Sequence, residues 1–573
     1  MAHDMSGTLL NKRQRVELIR GQLELERSSF ITHWKELNDF ILPRRGRFFV
    51  SDVNRGDRRS NKIIDSTATF SLRTLSSGMM SGVTSPARPW FRLTTPDPDL
   101  AEMSGVKEWL HNVTQRMNTV FLRSNLYNAL PTLYTDLGLF GTAAMALVED
   151  EDDVIRCYPF PIGSYAVGND ARLNVRVFSR EFRMTARQVV ERFSKRSAKG
   201  EIDWSNISTV CRNLYERGST EAWIDVIHVI APNEEYDGEK MESRYKKFTS
   251  CYFEKGEPVQ DNKFLLQEGF DEFPILVPRW EVTGEDVWGT NCPAMTALGD
   301  IKQLQLGEKR SAQAIEKMVN PPMTGPTSLR NAKASLLPGD ITYLDSREGQ
   351  GGFRPVHEVQ LRIGELEQKQ QQVRERIQRA FFEDLFLMLA YSDRRQITAR
   401  EIDERHEEKL LALGPVLEQL NQDLLDPLID RTFAIMLRKG LLPPPPEELS
   451  GSPLRVEYIS IMAQAQKMVG LAGLERFAGF AFQMAQVDPE SMDKVDRDQL
   501  LTEYGDMTGV PPSVLVPNDE VALIRQARQQ QMAQQQEAAN LAEAAKGVKD
   551  LSQADTGGRN ALTDMLTGAE RPV

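Results

Sequence analysis

The sequence predicts an α+β protein that is mainly helical, and three observations predict it. Long stretches carry apolar residues at spacings of three and four, the mark of a helix with one packed side. Between about Val154 and Trp280 the period changes to two, as in strands with alternating faces. From about Ala294 to Tyr391, two long helical patterns flank a compact insert rich in Gly and Pro, and the rest of the chain is organised around this unit.

At 573 residues the chain has length for roughly two to four domains with their own cores. Lys+Arg total 70 against Asp+Glu 82, a formal charge of −12. That balance excludes a protein whose whole surface grips nucleic acid, while leaving room for a local basic patch or an acidic wall past which DNA slides. The four cysteines are widely spread without a C-x-x-C, so free thiols in a reduced compartment are expected. No apolar run approaches the roughly 18 residues of a membrane-spanning helix. The start, Met1-Ala2-His3-Asp4, does not read as a signal peptide. The expectation is a soluble protein that stays in the cell that makes it, with no membrane partner.

In chain order, Val16, Ile19, Leu23, Phe30, Trp34, Leu37 and Ile41 mark an amphipathic helix from Lys12 to about Ile41, stopped by Pro43. Arg44, Arg45, Arg47, Arg55, Arg58 and Arg59 follow, read as a solvated loop or a phosphate-binding arm. Helices are predicted over Asp65 to Met80, Val106 to Arg123 and Asn128 to Leu139, with a short extended stretch after Pro89-Trp90-Phe91 and a first strand near Ala143 to Leu147. Residues 1–150 thus form a mainly helical part. Within the alternating region, Trp223 to Pro232, Phe248 to Phe253 and Phe264 to Gln267 read as strands, with Asp237-Gly238 and Lys255-Gly256 at turns. One helix interrupts them, opened by the capping box of Thr185 and Gln188. This α+β part covers 151–293.

In the central unit, Met295, Leu298, Ile301, Ala312, Ile315 and Val319 predict a helix over 294–320, broken by Asn320-Pro321-Pro322. The insert, 321–356, carries turns and the alternating Ile341-Thr342-Tyr343-Leu344. Val359, Ile363, Leu366, Val373, Ile377, Ala380, Phe381 and Leu385 then predict one helix over 357–391. After a turn at 392–397, Thr398 and Glu401 form another capping box and start a long helix to about Leu437, with kinks at Pro415 and Pro427, in a segment 398–451 that ends on Pro443 to Pro446. Helices with small residues and a Gln/Ala-rich helix from Asn518 to about Lys546 fill 452–549, and 550–573 reads as a disordered tail.

The usual chemical signatures fail. G-x-x-x-x-G-K-[ST], H-E-x-x-H and G-x-S-x-G are absent. His406 lacks a second histidine one helical turn on, and the six histidines never cluster. Asp150, Glu151, Asp152 and Asp153 read as a solvated loop or, in an alternative, as the metal ligands of a DNA-processing enzyme such as a nuclease. No active site, metal or cofactor is expected. A helix pair bearing a small β-containing insert is an odd plan for a monomer, because its mixed-charge faces want neighbours; a cytoplasmic helical scaffold is the other alternative.

Several pieces of the chain resemble one family. They are Trp34 with Pro43, Pro89-Trp90-Phe91, Pro278-Arg279-Trp280-Glu281 before Gly284-Glu285, Trp288-Gly289, Leu298 to Leu304, Asn320-Pro321-Pro322, and Gln396-Ile397-Thr398-Ala399-Arg400-Glu401-Ile402. In order and spacing they resemble the head-to-tail connecting (portal) proteins of short-tailed bacteriophages, with Trp288 where that family more often has tyrosine. The resemblance implies a dodecameric ring at one capsid vertex, assembled in the host cytoplasm and carried in the virion, with double-stranded DNA passing along its axis. It implies a wing (1–150 and 151–293), stem helices (294–320 and 357–391), a clip (321–356), a tunnel loop (392–397), a further wing helix (398–451) and a crown (452–549). Implied partners are the terminase, the tail adaptor, and the major capsid and scaffolding proteins. In this reading Ser392, Asp393, Arg394, Arg395 and Gln396 form the loop at the DNA channel, and Arg330, Lys333 and Arg354 lie in the clip that meets motor and adaptor. No residue is catalytic, since the energy of translocation would come from a separate ATPase.

Overall fold

The computed structural model of the chain describes residues 10–50, 59–97, 100–101, 103–196, 201–319, 321–324, 354–355, 363–392, 413–449, 451, 453–460, 474–486, 488, 494–508, 516 and 518–553. Two compact units emerge. The first takes the chain up to Arg92, Thr114–Leu442 and the residues from Tyr458 to 472; the second takes Leu93–Val113, Pro443–Glu457 and the chain from 473 on.

Helix α1, Lys12–Ile41, opens on a capping box in which Asn11 and Gln14 satisfy each other's backbone amides. Val16, Leu23, Trp34, Leu37 and Ile41 are buried, so most of the predicted stripe is the packed face. α2 (Thr67–Gly82), strand β1 (Phe91–Thr94), α3 (Ser104–Arg123) and α4 (Leu126–Phe140) follow. α4 ends on Gly141 at φ +75°, and a Cβ there would meet the carbonyl oxygen of Gly289 at 2.5 Å. Glycine at both positions lets two backbones touch, which docks the Trp288-Gly289 loop and sets Trp288 edge-on to Trp34 at 4.8 Å.

The α+β part contains β2 (Ala144–Asp150), β3 (Val154–Phe160), β4 (Tyr165–Asn169), β5 (Val175–Thr185), α5 (Ala186–Phe193), β6 (Lys195–Arg196), β7 (Ile202–Asp203), α6 (Thr209–Glu216), β8 (Trp223–Pro232), β9 (Phe248–Glu254), β10 (Leu266–Phe270) and β11 (Ile275–Leu276). An antiparallel sheet of order β10-β9-β8-β5-β4 forms its centre, beside a smaller one of order β11-β2-β3. One face of the larger sheet presents Ile227, Val229, Cys251 and Phe253 to Val16 of α1. The other presents Met184, Ile224, Val226 and Tyr252 to Val189, Val190 and Phe193 of α5 and Cys211 of α6. Thr185 and Gln188 form the predicted capping box. The expectation of a single interrupting helix is corrected by α6. Its turn is too short for a periodic stripe and is held by Ser208, whose hydroxyl caps Cys211 and is itself anchored on the buried Glu254 carboxylate.

α7 (Pro293–Val319) leads to β12 (Met323–Thr324), which pairs antiparallel with β13 (Arg354–Pro355). α8 (Ile363–Ala380) and α9 (Glu383–Ser392) follow. The predicted single helix over 357–391 is therefore two, broken at Phe381-Phe382, and Val359 lies outside the described residues. The long helix toward Leu437 is helical over 413–420, widens into a π turn at Asn421–Leu425 and continues as α10, Asp426–Arg438. Pro427 lies in an unbroken run of helix, and its missing amide leaves the preceding turn, which contains Asp423, without its usual donor, so the π turn marks the kink expected at Pro427.

In the second unit the indole of Trp109 donates to the carbonyl of Pro443 at 3.1 Å. Helix 474–486, α11 (Arg497–Thr508) and α12 (Asn518–Gln553) complete it, with Arg525 paired to Asp498 at 2.6 Å. α12 extends through the first residues of the tail read as disordered from 550; residues 554–573 lie outside the described part. Cys157, Cys211, Cys251 and Cys292 are free and buried, as expected. No described helix is long and apolar enough to cross a membrane.

Candidate functional site: a clamped helix pair with an exposed end

α7 and α8 run together, tied at one end by the β12–β13 ladder, in which Thr324 faces Arg354 and Met323 faces Pro355. Of the predicted site residues, Arg354 is thus a strand residue at the foot of the insert, and Ser392 is the last residue of α9. Asp393, Arg394, Arg395, Gln396, Arg330 and Lys333 lie outside the described residues, as does the capping box of Thr398 and Glu401.

The other end of the pair is anchored. Ala294, Ala297, Leu298, Ile301 and Leu304 are buried on α7, and Val373 and Ile377 on α8. Gln305 is buried and acts as a strand edge for the segment before α2: its Oε1 accepts from the amides of Ile64 (2.6 Å) and Asp65 (2.9 Å), and its Nε2 donates to the carbonyl of Asp65 (2.7 Å). Arg374 of α8 bridges Asp65 at 2.9 Å and Glu308 of α7 at 2.5 Å. Gln370 donates to the Ser311 hydroxyl at 2.9 Å, Arg376 pairs with Asp300 at 2.7 Å, and Lys302 with Glu36 at 2.5 Å. Burial pulls the Asp65 carboxyl upward, but the hydrogen bonds from Thr67 and Arg374 outweigh it and hold the group below the usual carboxylate range.

Past Gln305 the packing stops. Among the described residues none of α7 beyond Gln305 is buried, nor any of α8 before Val373. Leu306, Ile315, Met318, Val319 and Leu366 face solvent there, Val319 at 80% exposure. These residue types at helical spacing usually lie inside, so the free half of the pair presents a surface suited to cover by a neighbour.

The other candidates resolve into structure. Asp150 accepts the amides of Asp152 (3.0 Å) and Asp153 (2.9 Å), which closes the β2–β3 turn, and Arg156 lies alongside at 3.6 Å. Those amide bonds place its acidity below the ordinary range. Among the described residues no group of three or more His, Cys, Asp or Glu is placed to hold a metal ion. In the arginine-rich loop, Arg45 makes a bidentate pair with the fully buried Asp136, with both bonds at 2.5 Å, so this residue staples the loop to α4.

Sequence reasoning missed the polar anchors. Arg279 makes a buried bidentate pair with Asp423 of the π turn at 2.9 and 3.0 Å. Arg431 reaches the carbonyls of Leu147 and Glu272, and burial brings its acidity down to about 10. Their partners lie far away in sequence; the one available signal was the Pro278-Arg279-Trp280-Glu281 piece.

A sequence profile described as bacteriophage head to tail connecting protein matches residues 13–515, and the chain belongs to that family. A portal protein of Salmonella phage epsilon15 is 51% identical over 551 residues, spanning 96% of this chain and 97% of its own. A probable portal protein of Bordetella phage BPP-1 is 45% identical over 545 residues, spanning 95% and 96%. A chain of the solved virion of a native gene transfer agent particle is a far looser likeness, at 11% identity and a TM-score of 0.33 over 78% of this chain and 91% of that one.

Proposed function

We propose that the chain is the subunit of a dodecameric portal ring at one capsid vertex, through which double-stranded DNA is packaged and later ejected. The observation that carries this reading is the near-full-length similarity to the epsilon15 portal protein. The clamped helix pair with its exposed apolar end supports it, because copies standing side by side would cover that surface. In this reading α7 and α8 with α9 are the stem (294–320 and 357–391), 321–356 the clip, 392–397 the tunnel loop, 1–150, 151–293 and 398–451 the wing, and 452–549 the crown.

The net charge of −12 suits a channel that moves DNA without holding it, since every phosphate neutralised by a fixed cation adds salt-dependent affinity. Arg394 and Arg395 are assigned to transient phosphate contacts in the lumen, and Arg330, Lys333 and Arg354 to the clip surface that meets terminase and the tail adaptor. The major capsid and scaffolding proteins would surround the wing. No side chain of this chain performs a covalent step; energy would come from the terminase ATPase.

Electron microscopy of the purified protein tests the assembly. Rings with an axial hole wide enough for duplex DNA are expected; closed oligomers without a hole, formed also with scaffolding protein present, would overturn it. Charge reversal of Arg394 and Arg395 should shorten or destabilise the packaged DNA, and unchanged packaged length and retention would remove the lumen assignment.

A further inference from the structure

Two basic residues interrupt an apolar face of the five-stranded sheet. Phe178, Arg180, Phe182 and Met184 alternate along β5, and their partners on β8 are Ile230, His228, Val226 and Ile224. All are apolar except Arg180 and His228, which stand opposite each other, with Tyr252 of β9 beside His228. Such a pair adds nothing to the packing of the face and carries charge into it.

Aromatic rings surround the pair. The Arg180 guanidinium lies 4.6 Å from the centre of the Phe160 ring of β3 and 4.3 Å from that of Phe182. Helix α5 brings Arg192 to 5.3 Å from the Tyr252 ring, on which His228 stacks. Neither Arg180 nor Arg192 forms an ion pair with a carboxylate among the described residues, whereas Arg45, Arg279, Arg374 and Arg431 pair with Asp136, Asp423, Asp65 and Glu272. Arg180 Nε and His228 Nδ1 are buried without a hydrogen-bond partner. Burial lowers the Arg180 guanidinium; Tyr252 opposes this and Arg192 adds to it, and no acidic residue acts on Arg180 or His228 to offset it. An aromatic face attracts a guanidinium less than a carboxylate does, so the rings orient the cations without neutralising them. The place is open on one side: Arg192 is exposed, and Arg180 and Phe182 are half-buried.

We propose that Arg180, Arg192 and His228 form an oxyanion site, which takes a carboxylate or phosphate group that the described residues do not supply. The planar fork of Arg180, held between two rings, suits two oxygens of one group, and Arg192 closes over it from α5. Where His228 Nε2 accepts from the Ser250 hydroxyl, the hydrogen of the neutral ring is on Nδ1 and is offered as a further donor. The group has two possible sources, a free ion or an acidic side chain of a second copy of this chain, in which Asp+Glu outnumber Lys+Arg by 82 to 70. Supply by a neighbouring copy in a ring rests on the portal reading; the oxyanion site itself does not.

The test follows thermal unfolding of the full chain at pH 7.5 while sodium phosphate replaces sodium chloride at constant ionic strength. Monomers and rings are separated first by gel filtration. Monomeric wild type should show a saturable rise of the unfolding midpoint on the order of 2 °C. Arg180→Met and Arg192→Gln should lose that rise, and Arg192, being exposed, can be changed without disturbing the core. Arg192→Glu carries its own carboxylate to the site, so it should lose the phosphate response and unfold in chloride at a higher midpoint than Arg192→Gln. No rise in the wild type, or an equal rise in wild type and Arg192→Gln, would overturn the site. In rings, a persisting difference between wild type and Arg192→Gln assigns the site to a free ion. A response present in monomers and absent in rings assigns it to a carboxylate of the neighbouring copy. Whether rings form at all bears on the portal reading alone.

Discussion

His228 stands in a row across the five-stranded sheet, with Arg180 as its partner on β5 and Tyr252 on β9. Its ring stacks on Tyr252 at 3.8 Å, its Nε2 shares a hydrogen bond with the Ser250 hydroxyl at 2.9 Å, and Phe178 meets it edge-on. Burial, then the charges of Arg180 and of Arg192 from α5, hold its acidity well below the ordinary histidine value. The unfolded imidazole takes up its proton near pH 6.5 while the folded one stays neutral, so stability present above about pH 6.5 is lost as pH falls toward the folded value. Thermal unfolding followed at pH 7.5 and 5.5 should show a larger loss for the wild type than for His228→Gln. Equal losses would mean that the site does not carry this pH dependence. Arg279 and Asp423 form the other decisive pair. Asp423→Ala should cost about 3–5 kcal/mol in denaturant unfolding, because it leaves a buried guanidinium without its counter-charge, hydrogen-bonded only to Asn169 and the Leu173 carbonyl, whereas the double change Arg279→Met with Asp423→Leu should cost less. Neither site could be seen in sequence, since each joins residues from separate elements. Cys157, Cys211 and Cys292 are simpler: burial pushes these thiols up to about 12, so a thiol reagent at pH 8 should leave them unmodified until the chain is unfolded.

At the scale of elements, the clamp at the base of α7 and α8 is made of side chains that replace missing backbone partners. Gln305→Ala would strand the amides of Ile64 and Asp65 and should cost about 1–3 kcal/mol, read as a lower unfolding midpoint with an unchanged denaturant slope. Asp65, held low by Thr67 and Arg374, contributes stability above the unfolded carboxylate range that is lost as pH falls through its folded value. The helices were largely legible: the stripe of α1, the box of Thr185 and Gln188, and the strands from Trp223 and Phe248 all follow from period and capping alone. The exceptions have physical causes. α6 is shorter than the window in which a period can be seen. The π turn aims Asp423 at Arg279, and the break at Phe382 is held by residues of α2 and by Trp280, so tertiary contacts override a pattern that is locally continuous.

At the scale of the whole molecule, each unit exposes large apolar side chains among its described residues. Ile315, Met318 and Val319 on α7 are exposed in the first unit; Phe477, Phe480, Phe482, Leu523, Ile524, Met532 and Leu541 are exposed in the second. Most helical stability in proteins comes from packing an apolar face, and α12 leaves Leu523, Ile524, Met532 and Leu541 exposed. If copies of the chain supply that packing, the double change Ile315→Glu with Val319→Glu should reduce ring yield at least severalfold in mass photometry. It should change unfolding of the isolated chain by about 0.5 kcal/mol or less, as for other exposed positions. Unaltered ring yield would place the subunit contact elsewhere.

By itself the sequence determined the class of the fold, the order of helical and alternating regions, the helix–insert–helix plan of the centre and the family, because period, capping residues and motif order are local and survive without coordinates. Only the tertiary structure decided that Arg45 staples a loop to Asp136, that Asp150 closes a turn, that Gly141 and Gly289 bring two backbones into contact, and that the chain bends at Phe382 between α8 and α9. Each of these depends on which distant residue arrives opposite, and the free energy of such a pairing is a property of the packed chain rather than of either segment.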